Sequence, residues 1–219
     1  MSVSEKRLII IGAGAFGREL RDIAEGIKLL EGERCPWEFA GFLDNREGIL
    51  DGKNAAAATI LGAPSDYQPR GNDLFICAIG DPKVRRKYAG MIRAKRGKFA
   101  TLVEPSSRVG RGAKLAEGVL IGPFCAISCD LSIGADTMIT AHATIGHDVT
   151  VGAGCHIGAH AFIGGGAMLG DAVTVHPHAV ILPGKRIGDG CVVGAASLVV
   201  SDFRDGETAF GIPARRVAS

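Results

Sequence analysis

The sequence predicts an α/β head followed by a parallel β-helix built from hexapeptide repeats. Three observations carry this. Val, Leu or Ile recurs every six residues, without a miss, at the sixteen positions from Val109 to Val199. Ahead of residue 104 that period is absent, and short β-branched runs alternate with amphipathic segments. The first such run passes through "GAGAFG" (Gly12–Gly17) into the first amphipathic segment.

The head is read as residues 1–104. "RLIII" (Arg7–Ile11) is a strand candidate, and Arg18–Leu30 suits a helix. "WEFAGFLD" (Trp37–Asp44) reads as a second strand that ends on an acid. "LFICAI" (Leu74–Ile79) reads as a third and closes on "GDP" (Gly80–Pro82). Lys83–Lys98 is a basic helix candidate, and Phe99–Val103 a further strand. Strands alternating with helices predict a parallel sheet. The basic run reads as a solvated helix face, because acidic residues elsewhere in the head nearly balance it.

"GAGAFG" fits G-x-G-x-x-G after a strand and before a helix, the context for phosphate binding at a helix N-terminus in a Rossmann-like head. A dinucleotide reading would set Asp44 on a ribose. Against it, the head is too short for the second half of a doubly wound dinucleotide fold. Binding of a nucleotide-linked sugar and plain turn glycines are the other readings.

Residues 105–219 differ in kind. Gly follows the aliphatic residue in ten of the sixteen hexads, and the residue four places on is usually small, as at Ala113, Cys125, Ala143 and Cys155. No amphipathic helix keeps a period of six on one face, and no straight strand turns every six residues. A hexapeptide β-helix does both, with three hexads closing one triangular coil of about eighteen residues. The aliphatic side chain points inward, Gly is expected to allow the corner, and the small residue fits the narrow interior. The span from Val109 to Val199 makes about five coils.

Composition agrees. Hydrophobic residues make up 47% of the chain and aromatics only 5%, so the core must be aliphatic. A net charge of +2 gives no default for nucleic acid or a membrane surface. The six cysteines contain no C-x-x-C pair, and Cys125, Cys155 and Cys191 fall at small inward positions. No apolar run reaches the ~18 residues of a membrane span. Charged residues precede a short apolar run that ends in glycines, which is no signal peptide. A cytoplasmic protein is expected.

The histidines are concentrated. "AHATIGHDVTVGAGCHIGAH" (Ala141–His160) holds four of the chain's six. An imidazole titrates near neutrality and suits a general base, and a carboxylate on its other nitrogen would fix the tautomer. His147–Asp148 supplies both residue types. His142, His160 and His178 are spaced by eighteen and should stack on one edge about 4.8 Å apart. That column is read as an edge or subunit-interface ladder, or as a site that touches substrate or an ion.

Hexads of this kind resemble the left-handed parallel β-helix acyltransferases. With "GAGAFG", "FLD", "IGDP" and the tail "GIPARR" (Gly211–Arg216), nearly the whole chain resembles the sialic-acid O-acetyltransferase-like subgroup. That subgroup includes N-acetyltransferases of nucleotide-linked 4-amino-6-deoxy sugars. The resemblance implies a homotrimer with acetyl-CoA between neighbouring prisms and a head that holds the acceptor's nucleotide. It implies His147 and Asp148 as the catalytic pair, although the family pattern carries Glu where Asp148 stands. It implies His156, Gly165 and Ala195 on the acetyl-CoA side, and Gly14, Ala15, Phe16, Asp44, Asn45 and Gly80 around the nucleotide.

"HATIGH" (His142, His147) also resembles a zinc-binding pair of trimeric β-helix carbonic anhydrases. The third ligand would fall near Ser106, and no His precedes His142, so no metal is expected. The expected activity is direct acetyl transfer from acetyl-CoA to a 4-amino group. O-acetylation of a sugar such as a sialic acid, and a non-catalytic scaffold, are the alternatives.

Overall fold

The computed structural model of the protein describes residues 6–54 and 58–217. It divides into two units, one ending at Ala100 and one starting at Thr101.

In the first unit, β1 (Lys6–Ile11), β2 (Trp37–Leu43), β3 (Asp73–Cys77) and β4 (Lys98–Phe99) form a parallel sheet in the order β2-β1-β3-β4. Leu8, Ile9, Ile10 and Ile11 of β1 are all buried. An unbroken apolar run is what a central parallel strand needs when both sheet faces are covered. Helix α1 (Ala15–Glu31) buries Gly17, Leu20, Ala24 and Ile27, one stripe at three- and four-residue spacing. It ends at Gly32, whose φ of 56° lies in the left-handed region. Helix α2 (Pro82–Ala94) starts with Pro at its first position, and the Asp81 side chain accepts from the Val84 N–H at 2.9 Å. Beneath one sheet face lie Ile9, Ile11, Leu43, Phe75, Cys77, Ala89, Ile92 and Phe99.

The expected strand Phe99–Val103 is two strands. Lys98–Phe99 closes the head sheet, whereas Leu102–Val103 pairs with Leu120–Ile121 and opens the second unit. The division therefore falls ahead of residue 104, where the visible hexads made the sequence seem to break.

The second unit is a left-handed parallel β-helix. Two-residue strands repeat every six residues, and each pairs with the strand eighteen residues away, as Ser132–Ile133 does with Thr150–Val151. The strands form three ladders, which are the three faces of the prism. Face one holds Thr144–Ile145 and Phe162–Ile163, face two Thr150–Val151 and Met168–Leu169, and face three His156–Ile157 and Thr174–Val175. Face three ends in a hairpin, Thr208–Gly211 with Ala214–Val217. The inward aliphatic residues and the small residues form one core that runs the length of the prism and includes Cys125, Cys155 and Cys191.

One expectation is corrected. The Gly after each aliphatic residue does not make the corner. Residues 112, 118, 124, 130, 136, 142, 148, 154, 160, 166, 172, 178, 184, 190 and 196 do, each with φ between 53° and 75°. These sit three places after the aliphatic residue and include His, Asp, Phe and Ala as well as Gly. The Gly directly after the strand is needed for a different reason. At Gly146 a Cβ would meet Gly165 N at 2.5 Å, and at Gly164 it would meet Pro183 N at 2.4 Å. Those glycines let successive coils lie against each other.

Candidate active site

His147 and Asp148 lie on the edge between faces one and two, just after the strand Thr144–Ile145. Neighbouring residues on a flat strand point to opposite sides. Here the corner turns at Asp148, with φ of 57°, and both side chains come to the same side. His147 Nδ1 stands 2.7 Å from Asp148 Oδ2. A carboxylate only accepts, so in this contact Nδ1 is the donor, and in a neutral imidazole Nε2 is then the acceptor. Both side chains are 67% exposed, which leaves Nε2 accessible.

Gly165 lies one coil further along. A Cβ there would sit 2.8 Å from His147 Nε2 and 2.9 Å from Cε1. The missing side chain is the space that the Nε2 side of the ring occupies. The backbone around it is pinned, because Gly166 N donates to His147 O at 2.8 Å and Asp148 N to Cys129 O at 3.3 Å.

The structure thus brings His147, Asp148 and Gly165 together. It places His156 on face three, opposite the edge that carries His147. Ala195 is exposed on the edge between faces three and one. That same edge carries the predicted imidazole ladder. The rings of His142 and His160 stack at 4.6 Å and those of His160 and His178 at 4.8 Å, with interplanar angles of 4° and 3°. Phe124 stacks on His142 at 5.0 Å and extends the column. His142 and His147, five apart in sequence, therefore stand on different edges. Among the described residues no group of three or more His, Cys, Asp or Glu could hold a metal ion.

The head carries a cavity of about 380 Å³. All six residues expected around a nucleotide line it: Gly14, Ala15, Phe16, Asp44, Asn45 and Gly80. The glycines divide the labour. Gly12, with φ of 100°, makes the turn out of β1. Gly14 is the N-cap of α1 and supplies no side-chain cap to its first-turn N–H groups. At Gly17 a Cβ would meet Gly12 O at 1.9 Å, so only Gly lets the helix lie this close to the turn.

Asp44 is buried, and its carboxylate is fully used. Oδ1 accepts from Arg46 N at 3.0 Å and Arg46 Nε at 2.9 Å. Oδ2 accepts from Ala13 N at 2.8 Å and Arg46 Nη2 at 2.7 Å. Burial pushes this carboxyl upward, but the bonds from Arg46 and Ala13 outweigh it and hold it below the ordinary range.

Sequence reasoning missed two cations here. Arg46 lines the cavity two residues after Asp44. Arg85 is completely buried, and its Nη1 donates to Ile79 O at 2.6 Å and Gly80 O at 3.0 Å, which fixes the loop that ends β3. The signal for Arg46 was present as an acid followed two places on by an arginine. Arg85 lay inside a basic run and resembled its solvated neighbours.

Comparison with known proteins adds to this geometry. Residues 7–92 match the PglD N-terminal domain family, and residues 130–165 match the bacterial transferase hexapeptide (six repeats) family. A variant of perosamine N-acetyltransferase from Caulobacter crescentus, in complex with CoA and GDP-perosamine, superimposes with a TM-score of 0.83 at 26% identity, covering 97% of both chains. The acetyltransferase domain of PglB from Neisseria gonorrhoeae shares the fold, with a TM-score of 0.86 at 22% identity over 97% of this chain and 100% of that one. UDP-N-acetylbacillosamine N-acetyltransferase from Bacillus subtilis is 28% identical over 117 residues, 53% of this chain and 51% of that protein. An acyl-[acyl-carrier-protein]–UDP-N-acetylglucosamine O-acyltransferase from Mesorhizobium japonicum is 49% identical over 45 residues, 20% of this chain and 16% of that one. The matched segments thus span about half of one curated relative and about a sixth of the other.

Proposed function

We propose that this chain, a hexapeptide-repeat left-handed β-helix protein with a PglD-type N-terminal domain, is an acetyl-CoA-dependent sugar N-acetyltransferase. Its acceptor is the 4-amino group of a nucleotide-linked amino-deoxy sugar. The observation that carries the reading is the His147–Asp148 pair, with Nε2 accessible above Gly165. The likeness to a perosamine N-acetyltransferase along the whole chain supports the sugar class.

Transfer is direct. The amine lone pair attacks the thioester carbonyl of acetyl-CoA, the C–N bond forms, and the C–S bond breaks. Nε2 of His147 takes the proton that the nitrogen sheds, and the CoA thiolate leaves and is protonated. Asp148 holds the imidazole in the tautomer that can accept, and stabilises the imidazolium. A base of this kind contributes typically ~10²–10⁴-fold. The amide product is neutral at nitrogen and cannot reprotonate as the amine would, which favours the forward direction.

The chain works as a homotrimer with acetyl-CoA between neighbouring prisms. This accounts for His156 and Ala195 standing on other sides of the prism from His147, since a donor laid between two copies can touch more than one side. The head cavity holds the acceptor's nucleotide. The protein acts in the cytoplasm. Its six cysteines are thiols, the form a reducing compartment maintains.

The test is CoA release measured with a panel of UDP-, GDP- and dTDP-linked 4-amino-4,6-dideoxy sugars, alongside free sialic acid. One amino sugar should be acetylated at nitrogen, and His147→Ala should lose most of that activity while remaining folded. Transfer to the sialic acid hydroxyl alone would replace this reading with O-acetylation. No transfer to any acceptor, together with no calorimetric binding of acetyl-CoA, would leave a scaffold.

A further inference from the structure

We infer that Arg46 grips the diphosphate of the acceptor, and that Asp44 is a positioning residue that aims Arg46 instead of contacting a ribose. The inference rests on the reading of the head cavity as the acceptor's nucleotide site.

The first ground is the state of Asp44. In a G-x-G-x-x-G fold an acid at the end of the second strand ordinarily accepts from a ribose hydroxyl. A carboxylate offers about four lone-pair positions. Here four bonds reach Asp44, from Ala13 N, Arg46 N, Arg46 Nε and Arg46 Nη2. Its side chain is only 3% exposed. A ribose hydroxyl would have to displace one of these partners, two of which are charge-assisted and form a planar fork.

The second ground is where that fork holds Arg46. The guanidinium has five N–H donors, and Asp44 takes two of them. The side chain is 58% exposed and lines the cavity. Its Nη2 stands 3.5 Å from where a Cβ on Gly14 would be. Gly14 is the N-cap of the seventeen-residue helix α1 and brings no side-chain cap to its first-turn N–H groups. A cation with spare donors and an uncapped helix start therefore converge on one wall of the cavity. Both favour an anion, and the guanidinium's planar fork suits a phosphate. The cavity is also lined by Ile79, Val84 and Tyr88, which suit the uncharged part of a nucleotide. Asp44 is thus charge-balanced within the protein, and the diphosphate meets the outer face of the pair.

The test is calorimetry on the full-length chain with UDP, GDP and dTDP, each beside its own nucleoside. One diphosphate should bind the wild-type chain far better than its nucleoside does. Arg46→Met should weaken that diphosphate by about tenfold to a hundredfold, the range for lost charge-assisted bonds, and leave the nucleoside where it was. Arg46→Lys should recover part of the loss. Asp44→Asn should reduce the preference for diphosphate over nucleoside in the wild-type background and add little to Arg46→Met. In turnover, the acceptor KM should rise in both variants while the acetyl-CoA KM does not move.

A diphosphate that binds wild type and Arg46→Met equally well overturns the role of Arg46. Nucleoside affinity lost in Asp44→Asn and retained in Arg46→Met restores Asp44 as a ribose contact and overturns its positioning role. If no nucleoside diphosphate binds the wild-type chain, the reading of the cavity itself falls, and this inference with it.

Discussion

His147 Nδ1 and Asp148 Oδ2 meet at 2.7 Å although the two residues are adjacent in sequence. The contact exists because the prism turns at Asp148. Its energetic value to the fold is small, since an exposed pair contributes at most about 1 kcal/mol. In the proposed mechanism its value is to orient the imidazole so that Nε2 can accept a proton.

Removing either member should therefore separate activity from stability. His147→Ala should lower kcat by about 10²-fold or more. Asp148→Asn should lower it less, because the ring survives and only its orientation and tautomer are disturbed. Thermal melts of both variants should stay close to wild type. A His147→Ala enzyme with near-normal turnover would remove this residue from the base role.

Gly164 and Gly165 are neighbours with opposite expected phenotypes. A methyl at Gly165 would press on the end of an exposed, movable imidazole at 2.8 Å. Gly165→Ala should leave stability almost unchanged and depress kcat. A methyl at Gly164 would press on backbone, Pro183 N at 2.4 Å. Gly164→Ala should destabilise the prism by about 1–3 kcal/mol, the usual cost of overpacking. Chemical denaturation and steady-state kinetics on the two variants decide both halves.

Ala172 stands at a corner with φ of 55°, where an L side chain is strained by roughly 1–2 kcal/mol. Gly removes that strain but has more unfolded-state freedom to lose, roughly 0.5–1 kcal/mol. Ala172→Gly should therefore stabilise the protein by about 0.5–1 kcal/mol, visible as a higher Tm. A lower Tm would show that the Ala172 side chain packs in a way that outweighs the strain.

Asp44 gives a pH dependence. Its carboxyl is held below the ordinary value, so the folded state binds that proton less readily than the unfolded state does. The stabilisation is complete above about pH 4 and is lost as pH falls through the folded value. Urea midpoints of wild type and Asp44→Asn should differ by a constant amount from neutral pH down to about pH 5, and converge below about pH 4. A gap that stays constant into strong acid would mean that Asp44 is not the group responsible.

The register of the prism was legible because each inward position repeats without a gap, so every strand from Arg108–Val109 to Leu198–Val199 follows from one period. The stacked histidines followed from the same count. What the period did not reveal is which residue turns. Gly after each aliphatic residue resembles a corner, while the true corner accepts His142, Asp148 and Ala172. In the head, the residues of "GAGAFG" and "FLDN" lead to the cavity because they form a contiguous motif. Arg85 did not, because only the folded loop shows that Ile79 O and Gly80 O converge on it.

The eighteen-residue coil also limits how this chain can change in length. Inserting six residues between His147 and Gly165 would carry every later side chain to the next face, and His147 would lose its place over Gly165. Inserting eighteen would add one storey and leave each column aligned. The prism can lengthen or shorten by whole coils while its edges keep their chemistry, so the distance along the axis between two sites on one edge is free to vary only in steps of about 4.8 Å.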